Sequence, residues 1–357
     1  MVKVKNKLTN FYKGKKVLVT GATGFKGSWL CEWLLLLGAK VYAAGNNPNK
    51  NKNLFYDLNL NNKLNLKIFD IRNFKQTKKF INKINPSIIF HLAAQPLISN
   101  SYKDPKITYE INTMGTLNIL EAVRENKKIK NIILITSDKC YQSNNSTVGF
   151  KETDRLGGKD PYSGSKACAE IVIKTYIESY FKYNKVGIAS ARAGNVIGGG
   201  DWSENRLIPD LINNFKKKKT TLIRNPNFNR PWQHVLEPLH GYLLLGMKLQ
   251  KNPKKYSGPW NFGTEKNTVT SVKQIAQIAQ ETWGTGKIII KNTKKFYEQE
   301  NLQLNISKSK KILGWKPKYS IKESVKLTVN WYKNTHLKKT SVEEETIKQI
   351  SDYMNSM

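Results

Sequence analysis

Residues 16–27 read KVLVTGATGFKG. The apolar segment 16–20 predicts a buried strand, and residues 28–37 predict a helix that begins soon after it. Between them, three glycines recur at intervals of three: Gly21, Gly24 and Gly27. Glycines at this spacing permit a tight turn, close approach of the backbone to a diphosphate and close packing of helix on strand. The stretch therefore predicts a dinucleotide-binding fold.

Apolar segments of strand length alternate with helical segments over most of the chain. Strands are predicted at 16–20, 39–44, 64–71, 86–94, 132–135, 185–193 and 259–263. The long helical segments 107–126 and 162–182 lie between such strands, which implies crossover connections and parallel pairing. The predicted fold class is therefore α/β, a doubly wound parallel Rossmann sheet with a smaller, mostly helical substrate domain.

The same pattern suggests a division into two domains. A dinucleotide-binding domain is predicted from residues 14–193 and 233–263, and a substrate-binding domain from residues 194–232 and 264–335. The flanking residues are terminal extensions: 1–13 is predicted to be a loose leader, and the polar stretch 336–357 has no predicted structure.

Composition limits the classes of function. The 357 residues include 60 Lys and Arg against 26 Asp and Glu, a net charge of +34, but the basic residues are spread along the whole chain. This distribution favours solvated faces that steer anionic substrates over a nucleic-acid site. No apolar segment is long enough to span a membrane, and no signal peptide is recognisable. Three widely spaced cysteines fit a cytoplasmic protein without a metal site.

Chemistry is expected where strand 132–135 ends, because open parallel sheets bind ligands at the carboxyl ends of their strands. Thr136 is followed there by Ser137, Asp138 and Lys139. The alternative is a solvated polar turn, the usual state of loop residues. Further along, Tyr162 and Lys166 are four residues apart and so share one face of a predicted helix that opens near Pro161.

Several motifs resemble the extended short-chain dehydrogenase/reductase family that acts on nucleotide sugars. The resemblance covers about residues 14–335 and rests on the glycine turn, on residues 91–94 (HLAA) and on the spacing of Tyr162 and Lys166. Longer strings resemble the CDP-glucose 4,6-dehydratase subgroup: residues 24–30 (GFKGSWL), 136–141 (TSDKCY), 193–202 (AGNVIGGGDW) and 230–238 (RPWQHVLEP). The alternatives are a 4-epimerase and a dehydratase for another nucleotide hexose.

The resemblance implies a role for each catalytic candidate. Tyr162, its pKa lowered by Lys166 and by the nicotinamide, would remove the proton of the carbon-4 hydroxyl, and Ser137 would hydrogen-bond that hydroxyl. Asp138 would be the acid and Lys139 the base for loss of water. Because epimerases need no such acid and base, this pair favours dehydration. Lys139 would need a lowered pKa, for which burial and nearby cations are a physical reason.

Further residues are expected around the ligands. The cofactor is expected to be NAD, although no carboxylate follows the second strand at Gly45 and Asn46, where the ribose would lie. Its predicted contacts are Gly21, Thr23, Gly24, Phe25, Gly27, Asp70, Ile71, Ala93, Ala94 and Gln95, with Tyr162 and Lys166. A nucleotide sugar is the expected partner molecule, and its predicted contacts are Asn195, Arg224 and Arg230. His91 is predicted to be a packed residue.

The resemblance also implies assembly. Family members pair through two long helices, which correspond here to residues 107–126 and 162–182. A homodimer or a homotetramer is therefore expected.

Overall fold

The computed structural model describes residues 2–46, 53–126, 128–143, 149–183, 185–223, 225–265, 270–290 and 302–357. Arg224, one of the predicted substrate contacts, lies outside these residues. The strands are β1 (Lys16–Thr20), β2 (Lys40–Gly45), β3 (Asn65–Ile68), β4 (Ile88–His91), β5 (Asn131–Ile135), β6 (Gly187–Ala193), β7 (Val196–Ile197), β8 (Thr220–Ile223), β9 (Asn229–Arg230), β10 (Gln233–His234), β11 (Gly258–Phe262), β12 (Thr270–Ser271) and β13 (Lys287–Ile290).

Seven of these strands form one sheet in the order β11-β6-β5-β4-β1-β2-β3, and all of its pairs are parallel. The chain runs outward from β1 to β3 and then returns to place β4 on the other side of β1. The strand order therefore reverses between β1 and β4, which is where such sheets bind ligands. The predicted fold class is confirmed.

Most strands of the sheet are buried on both faces, and the edge strand β3 is largely exposed. Val17 and Val19 of β1 pack in one apolar cluster and Leu18 packs in another, because successive side chains of a strand point to opposite faces. This double burial explains why the strands are continuous apolar runs. The predicted strand 64–71 is shorter in the structure and ends at Ile68, so that Asp70 lies in the loop beyond it.

The helices are α1 (Val2–Tyr12), α2 (Phe25–Leu36), α3 (Leu54–Asp57), α4 (Leu60–Lys63), α5 (Phe74–Ile84), α6 (Ile98–Lys103), α7 (Pro105–Tyr109), α8 (Gly115–Arg124), α9 (Pro161–Tyr176), α10 (Leu207–Lys216), α11 (Leu236–Lys251), α12 (Pro253–Tyr256), α13 (Val272–Trp283), α14 (Ile321–His336) and α15 (Val342–Asn355). A π-helical turn, Glu110–Met114, connects α7 with α8, and another, Ile177–Phe181, extends α9. In the described residues, none of these helices has the length and apolar character needed to cross a membrane.

Both chain ends are more ordered than the sequence predicted. The expected loose leader is wrong: residues 2–12 form α1, whose Tyr12 is fully buried and donates a hydrogen bond to the Leu243 carbonyl at 2.8 Å. The polar stretch after residue 336 forms α15, and its Tyr353 packs edge-on against Trp33 of α2. Polar residues on the outer face of each helix conceal these apolar contacts in the sequence.

Just inside the second predicted domain, after β6 and β7, the chain passes through a tightly packed glycine run, residues 198–200. The indole nitrogen of Trp29 in α2 donates to the Gly199 carbonyl at 2.9 Å. A β-carbon on Gly199 would lie 2.0 Å from the Trp331 ring of α14, and the Tyr332 hydroxyl donates to the Asp201 carbonyl at 2.6 Å. Beyond this run, α10, α13 and α14 pack with short two-stranded sheets.

Candidate active site

The glycine turn combines close packing with one open position. Gly21 has a left-handed backbone with φ +69°, and a β-carbon there would lie 2.5 Å from the backbone nitrogen of Ala93. A β-carbon on Gly27 would lie 2.1 Å from the Gly21 carbonyl oxygen. Gly24 differs, because it is exposed and its β-carbon would meet only that carbonyl, at 3.4 Å. The open space above Gly24, at the N-terminus of α2, fits a diphosphate.

A cavity of about 320 Å³ opens above this turn. Many of the predicted cofactor contacts line it: Gly21, Thr23, Gly24, Phe25, Gly27, Asp70, Ile71, Ala93 and Ala94. The guanidinium of Arg72 donates two hydrogen bonds to the Asp70 carboxylate, at 2.6 and 2.9 Å, and these lower the pKa of Asp70. The cavity therefore has an open helix N-terminus at one side and an ionised carboxylate at another, a combination that fits a dinucleotide.

Gln95 is placed differently from the other predicted cofactor contacts. Its side-chain amide donates to the Thr108 hydroxyl at 3.0 Å and accepts a hydrogen bond from the Leu97 backbone at 2.7 Å. The Gln95 backbone N–H donates to the side chain of Asn112 at 2.8 Å. These contacts hold the loop after β4, so the Gln95 side chain is engaged within the protein.

His91, at the end of β4, is the packed residue that the sequence predicted. It is 2% exposed, and its Nδ1 lies 2.7 Å from the hydroxyl oxygen of Thr20. Its Nε2 lies 3.4 Å from the hydroxyl oxygen of Thr116. Burial, with a smaller effect of Lys166, lowers the pKa of His91 to about 3, so the ring is neutral at ordinary pH.

The residues after β5 form a buried tip. Ser137 is 5% exposed and Asp138 is 3% exposed, so the alternative of a solvated turn is wrong. The Ser137 hydroxyl donates to one Asp138 carboxylate oxygen at 3.0 Å, while the other, Oδ2, is buried with no hydrogen-bond partner among the described residues. A β-carbon on Gly194 would lie 1.8 Å from that oxygen. A buried carboxylate oxygen without a partner is uncommon in folded proteins and is typical of functional sites.

Tyr162 faces this tip from the first turn of α9. It is 8% exposed, and its phenol interacts with the side chain of Ser137. Burial raises the pKa of Tyr162 to about 12, against an opposing effect of the Ser137 hydrogen bond. In the protein alone desolvation of the phenolate dominates, and the lowering expected from Lys166 together with the nicotinamide stays a prediction.

The two predicted catalytic lysines lie on either side of the tip. Lys166 is 5% exposed and donates to the Ile135 carbonyl at 3.4 Å, so it lies behind a residue that lines the cavity. Burial lowers its pKa to about 8, against the attraction of Glu170. Lys139 belongs to a short 3₁₀ turn, Asp138–Cys140, and its backbone N–H donates to the Ser137 hydroxyl oxygen at 3.2 Å. The role of its half-buried side chain stays a prediction.

A buried ion pair behind the tip is not predicted from the sequence. Glu170, one turn after Lys166, accepts hydrogen bonds from Thr136, from Ser190 at 2.8 Å and from Arg192 at 2.7 Å. Arg192 also donates to the Tyr141 hydroxyl at 2.7 Å. The pair therefore contacts the residue that precedes the tip and a residue that follows it. Both partners look like ordinary surface charges in the sequence, because only the fold brings β6 beside α9.

The two predicted substrate contacts that the structure describes lie beyond β6. Asn195 has a left-handed backbone with φ +46°, and its side-chain nitrogen is buried without a hydrogen-bond partner among the described residues. Arg230 is 6% exposed; it donates to the Asn229 carbonyl at 3.1 Å and lies over the Phe228 ring at 5.2 Å. Asn195 thus offers a free amide donor, whereas Arg230 is partly engaged within the protein.

Two cations that were not predicted also line the cavity, Lys26 and Arg206. Arg206 precedes α10 and donates to the Asp201 carboxylate at 2.9 Å. Lys26 lies in the first turn of α2, within the motif that identified the glycine turn. Among so many lysines, nothing in the sequence separates it from surface charges.

A glycine turn at the reversal of a parallel sheet, a serine at the tip of β5 and a tyrosine–lysine pair on the following helix define the extended short-chain dehydrogenase/reductase class. Here the glycine turn lines the cavity, Lys166 contacts the cavity-lining residue Ile135, and Tyr162 interacts with Ser137. The class couples a dinucleotide site to a proton-transferring tyrosine.

Comparisons with known proteins agree with this class and identify a family within it. The family described as GDP-mannose 4,6 dehydratase matches residues 18–328, and the chain belongs to this family. A CDP-glucose 4,6-dehydratase of Salmonella typhimurium is 40% identical over 97% of this chain and 98% of its own. A UDP-glucose 4-epimerase of Mycoplasma pneumoniae is 26% identical over 86% of this chain and 93% of its own. The crystal structure of dTDP-glucose 4,6-dehydratase from Bacillus anthracis in complex with NAD has the same fold, with a TM-score of 0.75, 22% identity and coverage of 90% and 98%.

Proposed function

We propose that the protein is an NAD-dependent hydro-lyase that converts CDP-D-glucose to CDP-4-keto-6-deoxy-D-glucose. Nearly full-length similarity to an enzyme of this activity supports the assignment. The structural observation that carries it is Asp138: a buried carboxylate with one unpaired oxygen, joined through Ser137 to Tyr162. An acid at this place is needed for loss of water and has no task in simple oxidation.

Tyr162 and Ser137 perform the first step. NAD, when bound, supplies the hydride acceptor for carbon 4 of the sugar and the hydride that later returns to carbon 6. Tyr162 takes the proton of the carbon-4 hydroxyl as the hydride leaves, and Ser137 hydrogen-bonds the same oxygen. Lys166, which is cationic below its pKa of about 8, stabilises the phenolate electrostatically.

Asp138 and Lys139 perform the elimination. The new carbon-4 ketone acidifies the hydrogen on carbon 5, and Lys139 in its neutral form removes that proton. Asp138 in its protonated form donates a proton to the carbon-6 hydroxyl, so the carbon–oxygen bond breaks and water leaves. Hydride addition at carbon 6 and proton return to carbon 5 complete the product. The cofactor is thus regenerated within each turnover.

Asn195 and Arg230 are the described residues that we propose to bind the nucleotide sugar. The unpaired amide nitrogen of Asn195 is a hydrogen-bond donor for the sugar or a phosphate. Arg230 supplies a guanidinium for the diphosphate, as proposed for Arg224 as well. Recognition of the cytosine base is inferred only from the similarity to the Salmonella enzyme.

A panel of sugar nucleotides tests the assignment. The protein is incubated with CDP-, dTDP-, UDP- and GDP-hexoses, and formation of a 4-keto-6-deoxy product is followed by its absorbance in alkali and by mass loss of water. We expect product from CDP-glucose. No product from any substrate would refute dehydration, and product from another nucleotide alone would refute the substrate.

A 4-epimerase is the second candidate, because an epimerase shares the glycine turn, Tyr162 and Lys166 and is also among the similar proteins. It would invert carbon 4 without loss of water. Nuclear magnetic resonance of the sugar product distinguishes the two reactions directly.

We also propose a homodimer or homotetramer in the cytoplasm. Several large apolar side chains of the two long helical segments are exposed: Tyr109, Met114, Ile171 and Tyr180. A helical surface of this kind fits pairing between two copies. Cys31, Cys140 and Cys168 are free, which fits a reducing compartment. Light scattering after size-exclusion chromatography would give the assembly, and cell fractionation the location.

A further inference from the structure

Lys26 has no task in the mechanism above, although it lines the cavity. It is in the first turn of α2, next to the open position above Gly24. Within the described residues its ammonium forms no hydrogen bond or ion pair, and its aromatic neighbour is Tyr242, whose ring centre is 5.9 Å away. A cation in a helix's first turn is also disfavoured by the helix dipole.

The charges around Lys26 are mostly of the same sign. Lys166 and Arg206 repel it, and Asp138 is the attracting carboxylate. Asp138 already accepts a hydrogen bond from Ser137, and Arg206 contacts Asp201.

The aromatic neighbour is itself incompletely paired. Tyr242 is fully buried, and its hydroxyl has no hydrogen-bond partner among the described residues. Lys26 therefore lines the cavity as a cation without an ion-pair partner among the described residues, near a buried tyrosine hydroxyl that is also unpaired, as expected of a site built for an anion.

We propose that Lys26 is a diphosphate-binding residue whose ammonium group holds a ligand phosphate above the glycine turn. The proposal rests on the proposed function, because both the dinucleotide and the nucleotide sugar carry a diphosphate. The backbone N–H groups at the N-terminus of α2 already suit one phosphate, and Lys26 extends from that same turn.

Proton uptake follows from the surroundings of the amine. Burial and the two neighbouring cations lower the pKa of Lys26 to about 8, so a substantial fraction is neutral in mildly alkaline solution. A phosphate in contact with the amine favours the charged form and raises this pKa. Affinity for the diphosphate should consequently fall as pH rises above about 8, by linkage.

The test uses three variants of the full-length protein: Lys26→Met, Lys26→Arg and the control Lys40→Met, since Lys40 is an exposed residue at the start of β2. Titration calorimetry measures binding of NAD and, separately, of CDP, at pH 7 and 9 and in two buffers of different ionisation enthalpy. We expect Lys26→Met to weaken binding of one of these probes about 10- to 100-fold at pH 7. Lys26→Arg should retain affinity but lose proton uptake, and Lys40→Met should match the wild type.

The outcomes separate the sources of the diphosphate. Weaker binding of NAD alone assigns Lys26 to the dinucleotide, and weaker binding of CDP alone assigns it to the nucleotide sugar. Unchanged affinity of Lys26→Met for both probes would overturn the proposal. Binding is measured without turnover. A wild-type protein that forms no dehydrated product would therefore refute the proposed reaction, but the binding results for Lys26 could still be interpreted.

Discussion

Arg192 Nη2 lies 2.7 Å from Glu170 Oε2, and both side chains are only 3% exposed. Through this pair α9, which carries Tyr162 and Lys166, is connected to the strand tip that carries Ser137. Charges so deeply buried must be paired, because desolvation of an isolated charge is very costly. The geometry of the proposed catalytic groups therefore depends on an ion pair that does not itself line the cavity.

We expect the two partners to be strongly coupled. Glu170→Met or Arg192→Met alone leaves a buried unpaired charge and should lower the free energy of unfolding by about 3–5 kcal/mol. The double variant Glu170→Met/Arg192→Met removes both charges. Its free energy of unfolding should fall by much less than the sum of the decreases in the two single variants. Urea unfolding of the four proteins measures the coupling. Additive losses would show that the pair does not act as a unit.

Lys139→Ala should separate oxidation from elimination. Without the proposed base, the protein should still bind NAD and oxidise the sugar, while dehydrated product forms at least about 100-fold more slowly. Reduced cofactor should accumulate on the enzyme, visible by its absorbance. Lys151→Ala, at an exposed residue, is the control and should be fully active. Dehydration at the wild-type rate in Lys139→Ala would remove Lys139 from the mechanism.

The glycine turn allows a matched pair of variants. Gly27→Ala places a β-carbon against the backbone of Gly21, so it should destabilise the protein by about 2–4 kcal/mol. Gly24→Ala meets no such obstacle and should change stability by about 1 kcal/mol or less. It should nevertheless weaken NAD binding, because its methyl group occupies the space above the helix N-terminus. Thermal unfolding and NAD titration check both, and tight NAD binding by Gly24→Ala would place the diphosphate elsewhere.

Glu237 should make stability depend on pH. It is fully buried in α11, where it accepts hydrogen bonds from the backbones of Lys318 and Tyr319 and from the Tyr353 hydroxyl, and burial raises its pKa to about 7. The neutral form is thus favoured in the folded state. Its stabilising contribution is complete below the unfolded pKa of about 4.5 and is lost as pH rises through about 7, by up to about 3 kcal/mol.

The substitution Glu237→Gln isolates this effect. The amide cannot ionise and can still accept the two backbone hydrogen bonds. The free energy of unfolding of the variant minus that of the wild type should therefore increase by about 2–3 kcal/mol from pH 5 to pH 8. Urea unfolding at the two pH values gives the difference. An equal stability difference at both values would mean that Glu237 ionises in the folded protein much as it does in the unfolded chain.

Local patterns were sufficient for the sheet and for the cofactor cavity. Continuous apolar strands, a glycine turn and long intervening helices each depend on neighbouring residues, so periodicity and spacing predicted them. The tip after β5 was predicted from its position at a strand end, but its burial was not, because Ser137 and Asp138 are polar and are covered by residues distant in sequence.

The features that sequence reasoning missed depend on contacts between distant segments. Glu170 and Arg192 are 22 residues apart and meet only because β6 lies beneath α9. The order of α1 and α15 depends on apolar residues such as Tyr12 and Tyr353 that are few among many polar ones. Lys26 is distinguished by the scarcity of partners around it, a property that no local pattern reports.

The segment 198–201 bears on how ligands enter and leave. Gly199 is fixed on one side by a hydrogen bond from Trp29 and on the other by the ring of Trp331, while the backbone of Asp201 is held by Tyr332. Of these three contacts, the Trp29 hydrogen bond joins the two predicted domains, because Trp331 and Tyr332 belong with residues 198–201 to the substrate-binding domain. A rotation about this segment would break that buried hydrogen bond, so we expect nucleotides to exchange mainly through motions of side chains and loops around the cavity.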